Sequence, residues 1–153
     1  MVRTCGLGPT SLAGTIADPP GNNRLLTRVL IAEDDPDIMA LIALALGRFG
    51  GMVVTCCADG RAALEGVTSV WPDLVLLDVM MPELDGLETL ARLRADPRTA
   101  TIPVVFLTAR VQPQDRELYL ARGALGVIAK PFDPLTLAQQ LRRLHGDAGR
   151  SAR

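Results

Sequence analysis

The chain has 153 residues, 48% hydrophobic and 22% charged, with 16 basic and 17 acidic side chains and a net charge of -1. That size fits one domain with its own core and excludes a multi-domain enzyme. The balance excludes wholesale disorder and a global positive field for nucleic acid or an anionic membrane. No apolar run approaches the ~20 residues of a membrane helix, and the N-terminus leads into no signal-like apolar region. A cytoplasmic protein with no nucleic-acid or membrane partner is expected. Cys5, Cys56 and Cys57 are odd in number and two are adjacent, so neither a disulfide framework nor a zinc cluster is expected.

Residues 1–27 are rich in Gly and Pro without periodicity and read as a flexible extension. Residues 146–153 read as a short tail, and the fold is expected over 28–145. Arg28–Ala32, Met52–Cys57, Leu74–Asp78, Ile102–Leu107 and Leu125–Ala129 are short apolar runs that predict five buried strands. Helix starts are marked at Asp35-Pro36 and Asp133-Pro134, each an N-cap followed by proline at the first helical position. After the first, Ile38, Leu41, Ile42, Ala45 and Phe49 form one stripe; after the last, Leu137, Leu141 and Leu144 do. A helix from about Pro113 to Arg122 is closed by Gly123. Alternating strands and helices predict an α/β fold, a doubly wound parallel sheet with helices on both faces and ligands at the strands' carboxyl ends.

Those ends carry the chemistry. The first strand runs into Glu33-Asp34-Asp35, the third ends in Asp78, the fourth in Thr108 and the fifth in Lys130-Pro131. Carboxylates gathered at one edge repel unless a cation sits among them, and an oxygen-only ligand set selects Mg²⁺. Asp35 can serve as a helix cap alone. Asp78 ends a buried apolar run, where a carboxylate can act as a nucleophile. Attack on phosphorus needs neutralisation of the equatorial oxygens, which Mg²⁺, Thr108 and Lys130 together supply. Lys130 is the only lysine among fifteen arginines, as suits a compact point charge in a small site. His145 reads as a surface residue near the end of the last helix.

Glu33-Asp34, Asp78 within Asp-Val-Met-Met-Pro-Glu-Leu-Asp-Gly, Thr108-Ala109 and Lys130-Pro131-Phe132 together resemble the receiver domains of two-component response regulators, similar to the chemotaxis and sporulation single-domain regulators. The resemblance covers residues 28–145 and implies a flavodoxin-like five-stranded sheet in the order 2-1-3-4-5. It implies that Asp78 is the phosphoacceptor and that Asp34, Asp78 and the Met80 backbone carbonyl bind Mg²⁺. It further implies that Glu33 assists through water and that Thr108 and Lys130 hold the phosphoryl group. The implied donor is a histidine kinase or histidine phosphotransfer protein. The implied output is a protein target on the face of the fourth helix, fifth strand and fifth helix, with Leu118, Tyr119, Ala124 and Leu125 as candidates. Such a module is a phosphoacceptor rather than an enzyme.

One departure stands out: where the family places Tyr or Phe three residues before the lysine, this chain has Val127, and a weakened switch is expected. An aspartyl-phosphate phosphatase of the haloacid dehalogenase type would need an acid at Met80. A flavodoxin-like cofactor binder would need a phosphate cradle where Glu33-Asp34-Asp35 stands. A phosphorylation-independent scaffold is the third alternative.

Overall fold

The computed structural model describes residues 2–4 and 25–151. In chain order the elements are β1 (Val2–Thr4), β2 (Arg28–Ala32), α1 (Pro36–Ala43), β3 (Val53–Cys57), α2 (Gly60–Val70), β4 (Leu74–Asp78), α3 (Gly86–Ala95), β5 (Val104–Thr108), α4 (Pro113–Ala121), β6 (Gly126–Ala129) and α5 (Leu137–Ser151). The sheet order is β1-β3-β2-β4-β5-β6. Strands β2 to β6 are parallel, and among these five the order is the expected 2-1-3-4-5.

The addition is β1, which lies antiparallel on β3 with Arg3 opposite Cys56. Three residues of the N-terminal segment are thus a strand, where the composition predicts none; residues 5–24 lie outside the described residues. Cys56 on β3 is disulfide-bonded. Cys57 is a free buried thiol, and burial pushes its pKa up to about 12.

Two apolar layers sandwich the sheet. One gathers Val29, Ile31, Leu76, Val105 and Leu107 against Ile42, Leu46 and Leu141; the other gathers Leu30, Leu77, Val104 and Phe106 against Val67, Leu90 and Tyr119. Consecutive strand residues point to opposite faces, so an all-apolar strand feeds both layers at once.

The Asp35 carboxylate accepts from the N–H groups of Asp37 and Ile38 and caps α1. A π-helical segment, Leu44–Phe49, continues α1. Widening the repeat rotates later side chains relative to an α-helical stripe. Ile42 and Ala45 are buried as expected, but Phe49 is exposed, as is Leu41 at the stripe's edge. Asp133 starts a turn rather than α5 itself: its carboxylate accepts from Leu135 N–H and its carbonyl from Leu137 N–H, and the α-helix begins at Leu137. Gly123 closes α4 with φ +105°, a conformation costly for a side-chain-bearing residue. Among the described residues no helix is long and apolar enough to cross a membrane.

Candidate functional site

Three strand ends and a loop build one polar cluster at the carboxyl edge of the sheet. β2 passes directly into Glu33, β4 terminates in Asp78 and β6 is followed by Lys130. Because β2 pairs with β4 in parallel, both strands leave their last residues at the same edge. Glu33, Asp34 and Asp78 each bring a carboxylate oxygen within 4.8 Å of the others. Glu33 and Asp78 are buried while Asp34 faces solvent, so the cluster is a pocket with one open side.

The Lys130 ammonium bridges the two buried acids, donating to Glu33 Oε1 at 2.7 Å and to Asp78 Oδ2 at 3.3 Å. Burial raises the Glu33 pKa against the opposing effects of Lys130 and the Asp35 N–H. Burial works to lower that of Lys130, but the Glu33 hydrogen bond and the Asp78 charge outweigh it and raise it. The ammonium is therefore firmly charged, consistent with its place between two carboxylates. Met80 N–H donates to Asp78 Oδ1 at 3.1 Å and fixes the carboxylate's orientation. Lys130 is joined to Pro131 by a cis peptide bond.

The loop after β4 folds back under Asp78. Gly86 N–H donates to the Val79 carbonyl, and a Cβ on Gly86 would collide with the Asp78 carbonyl and the Val79 Cα. The Asp85 carboxylate accepts from Glu88 N–H and caps α3. The Asp-Gly pair thus supplies a helix cap followed by a residue without a side chain, letting the helix start against the backbone that carries Asp78.

Thr108 ends β5, paired beside Asp78's strand, and is fully buried. Its hydroxyl accepts from Arg110 N–H at 3.1 Å, while Lys130 N–H donates to its carbonyl. The structure therefore brings Glu33, Asp34, Asp78 and Lys130 into direct association and sets Thr108 on the adjoining strand end. Of the four residues expected on the output face, Leu118 is exposed and Leu125 partly buried, whereas Tyr119 and Ala124 lie in the core. Their apolar bulk is spent on packing against β5 and β6, and Leu120, not singled out by sequence, is the other exposed apolar residue of α4. Sequence reasoning also missed Asp73, whose buried carboxylate accepts from the N–H groups of Thr27 and Arg28 at the opposite end of the sheet; its place before a strand gives no sign of that pairing.

An all-oxygen set of three carboxylates, two buried, suits a hard divalent cation, and Mg²⁺ fits because it accepts few protein ligands and keeps its waters. The match to a known family is now direct. The response regulator receiver domain model matches residues 29–142, and the chain belongs to that family, whose members are phosphoacceptor signalling modules that work with histidine kinases or phosphotransfer proteins and bind Mg²⁺ at an acidic pocket. It is similar to the transcriptional regulatory protein CseB of Streptomyces coelicolor, 41% identical over 126 residues, covering 80% of this chain and 52% of that one. It is similar to the DNA-binding dual master transcriptional regulator RpaA of Synechocystis, 39% identical over 119 residues, covering 78% and 49%. The chain thus spans about half the length of these relatives. Among solved structures it resembles the chemotaxis protein CheY4 of Vibrio cholerae, with a TM-score of 0.72 and 31% identity, covering 78% of this chain and 98% of that one.

Proposed function

We propose that this chain is a single-domain response regulator whose receiver module, residues 28–145, takes a phosphoryl group on Asp78 and signals by protein contact. The observation that carries the reading is the pairing of Asp78 with a buried ammonium and two further carboxylates at one strand edge. An Asp78 carboxylate oxygen attacks the phosphorus of a phosphohistidine on a histidine kinase or histidine phosphotransfer protein. A P–O bond forms as the donor's P–N bond breaks, and the electron pair returns to the imidazole. Asp34, Asp78 and the Met80 carbonyl would hold Mg²⁺, with Glu33 acting through water; the ion supplies charge neutralisation on the phosphoryl oxygens. Lys130 leaves its contact with Asp78 for a phosphoryl oxygen, and the Thr108 hydroxyl donates to another.

The output we assign is the face of α4, β6 and α5, where Leu118 and Leu120 are exposed. The reading places the protein in the cytoplasm and gives the receiver module itself no nucleic-acid contact. The test is intact mass after incubation with acetyl phosphate and Mg²⁺. Wild type should gain one acid-stable, base-labile phosphoryl group and Asp78→Asn none. Equal labelling of the variant overturns the assignment, and labelling of neither favours a phosphorylation-independent scaffold.

A further inference from the structure

Thr108 is tied to α4 by a side-chain contact with Tyr119 and by a short relay through Arg110. Its hydroxyl accepts from Arg110 N–H at 3.1 Å; the Arg110 carbonyl accepts from the Tyr119 hydroxyl, also at 3.1 Å. Tyr119 is 2% exposed. Its ring packs on Phe106, the β5 residue two before Thr108, with centroids 5.1 Å apart and planes inclined by 57°. Val127 lies opposite Phe106 on β6 and contributes no ring. The aromatic group behind Thr108 thus comes from the helix rather than the edge strand.

We propose that Tyr119 is a positioning residue: it holds the loop after β5, and through it the Thr108 hydroxyl, in the unphosphorylated arrangement, and it transmits phosphorylation to α4. The proposal rests on the reading of Asp78 as phosphoacceptor. A phosphoryl group on Asp78 offers Thr108 an anionic acceptor, and a charge-assisted hydrogen bond is about twice as strong as a neutral one. When the hydroxyl turns toward it, Arg110 N–H loses its protein acceptor. The peptide around Arg110 is then released to reorient, and its carbonyl is the one that Tyr119 holds. Room exists for that movement, since Ala109, Arg110, Val111, Gln112, Gln114 and Asp115 line an open cleft of about 400 Å³ beside the loop. Release of the phenol frees the helix segment that carries Leu118 and Leu120 on either side of it.

Tyr119 is the only tyrosine of the chain, so the full-length protein labelled with 3-fluorotyrosine gives one ¹⁹F resonance. On addition of Mg²⁺ and beryllofluoride that resonance should move by more than its linewidth, and in Thr108→Val it should stay. Tyr119→Phe keeps the ring and deletes the hydroxyl that donates to the Arg110 carbonyl and meets Thr108, a tie that favours the unphosphorylated state. Its half-saturating beryllofluoride concentration, measured by calorimetry, should fall about five-fold. A residue that only fills space would leave that concentration unchanged. If acetyl phosphate yields no adduct on wild type by intact mass, the Asp78 reading and this proposal fall together. If the adduct forms but the resonance stays within its linewidth, moves equally in Thr108→Val, or the Tyr119→Phe concentration is unaltered, the Tyr119 proposal alone is overturned.

Discussion

Lys130 lies 0.6 Å nearer to Glu33 than to Asp78, 2.7 Å against 3.3 Å. If Asp78 is the phosphoacceptor, as proposed, the ammonium anchored on Glu33 can exchange its weaker contact for a phosphoryl oxygen without leaving the site. The side chains of Glu33 and Asp78 are 2% and 7% exposed, so solvent screens their mutual repulsion poorly once the ammonium is gone.

Removing the ammonium should therefore cost stability before any signalling is considered. Lys130→Met leaves two buried carboxylates facing each other, and stability in EDTA should fall by about 3 kcal/mol. Urea unfolding measures it, and adding Glu33→Gln to that background should recover most of the loss. Lys130→Arg should retain more stability yet label poorly with acetyl phosphate, because a planar guanidinium does not fit where the ammonium sits.

Mg²⁺ should raise the thermal midpoint, since a ligand bound only by the folded state at a hundred times its Kd adds about 2.7 kcal/mol. Asp34 is exposed and should carry this response without supporting the fold. Asp34→Ala is expected to unfold at the wild-type temperature in EDTA and to lose the increment in excess Mg²⁺ by differential scanning fluorimetry.

Gly86→Ala inserts a methyl group against the Asp78 carbonyl and Val79 Cα. Backbone yields less readily than a side-chain tip, and overpacking of this kind costs about 1–3 kcal/mol. The displaced strand end should also slow phosphorylation; a variant with wild-type stability and labelling rate would show that the loop gives way freely.

The Tyr119 phenol should ionise late. Burial raises its pKa, the Asp115 charge adds to this, and the Thr108 hydroxyl pulls it partly back. An acid whose folded pKa exceeds its unfolded value of ~10 contributes stability that is fully present below ~10 and lost as pH rises through the folded value. Alkaline difference absorbance should place the midpoint above that of free tyrosine, and return it there in urea.

Much of this was legible because it is local. The alternation of apolar runs with capped helices, the Asp35 cap and the strand-end acids all follow from spacing along the chain. β1 was not legible: a three-residue strand has no periodicity of its own, and its partner β3 is about fifty residues away. The π-helical turn at Leu44–Phe49 is a packing outcome that leaves no mark in an ordinary helical sequence. Tyr119 reads from the sequence as an output-face residue because the packing that turns it inward onto Thr108 and the Arg110 carbonyl is not revealed by residue identity. Its being the sole tyrosine, on the helix that follows Thr108, was the only available hint.

The sheet's outline has one more consequence. Among the described residues its four inner strands are five residues each, but its borders are β1 with three and β6 with four. Val-Val-Phe-Leu-Thr of β5 and Leu-Val-Leu-Leu-Asp of β4 have the composition that stacks into cross-β assemblies, and both are flanked on each side by other strands. What the rim offers to another chain's backbone is a few hydrogen-bonding groups at either end, too short a template for growth by strand addition. A chain rich in such segments thus keeps its most adhesive sequences inside the fold.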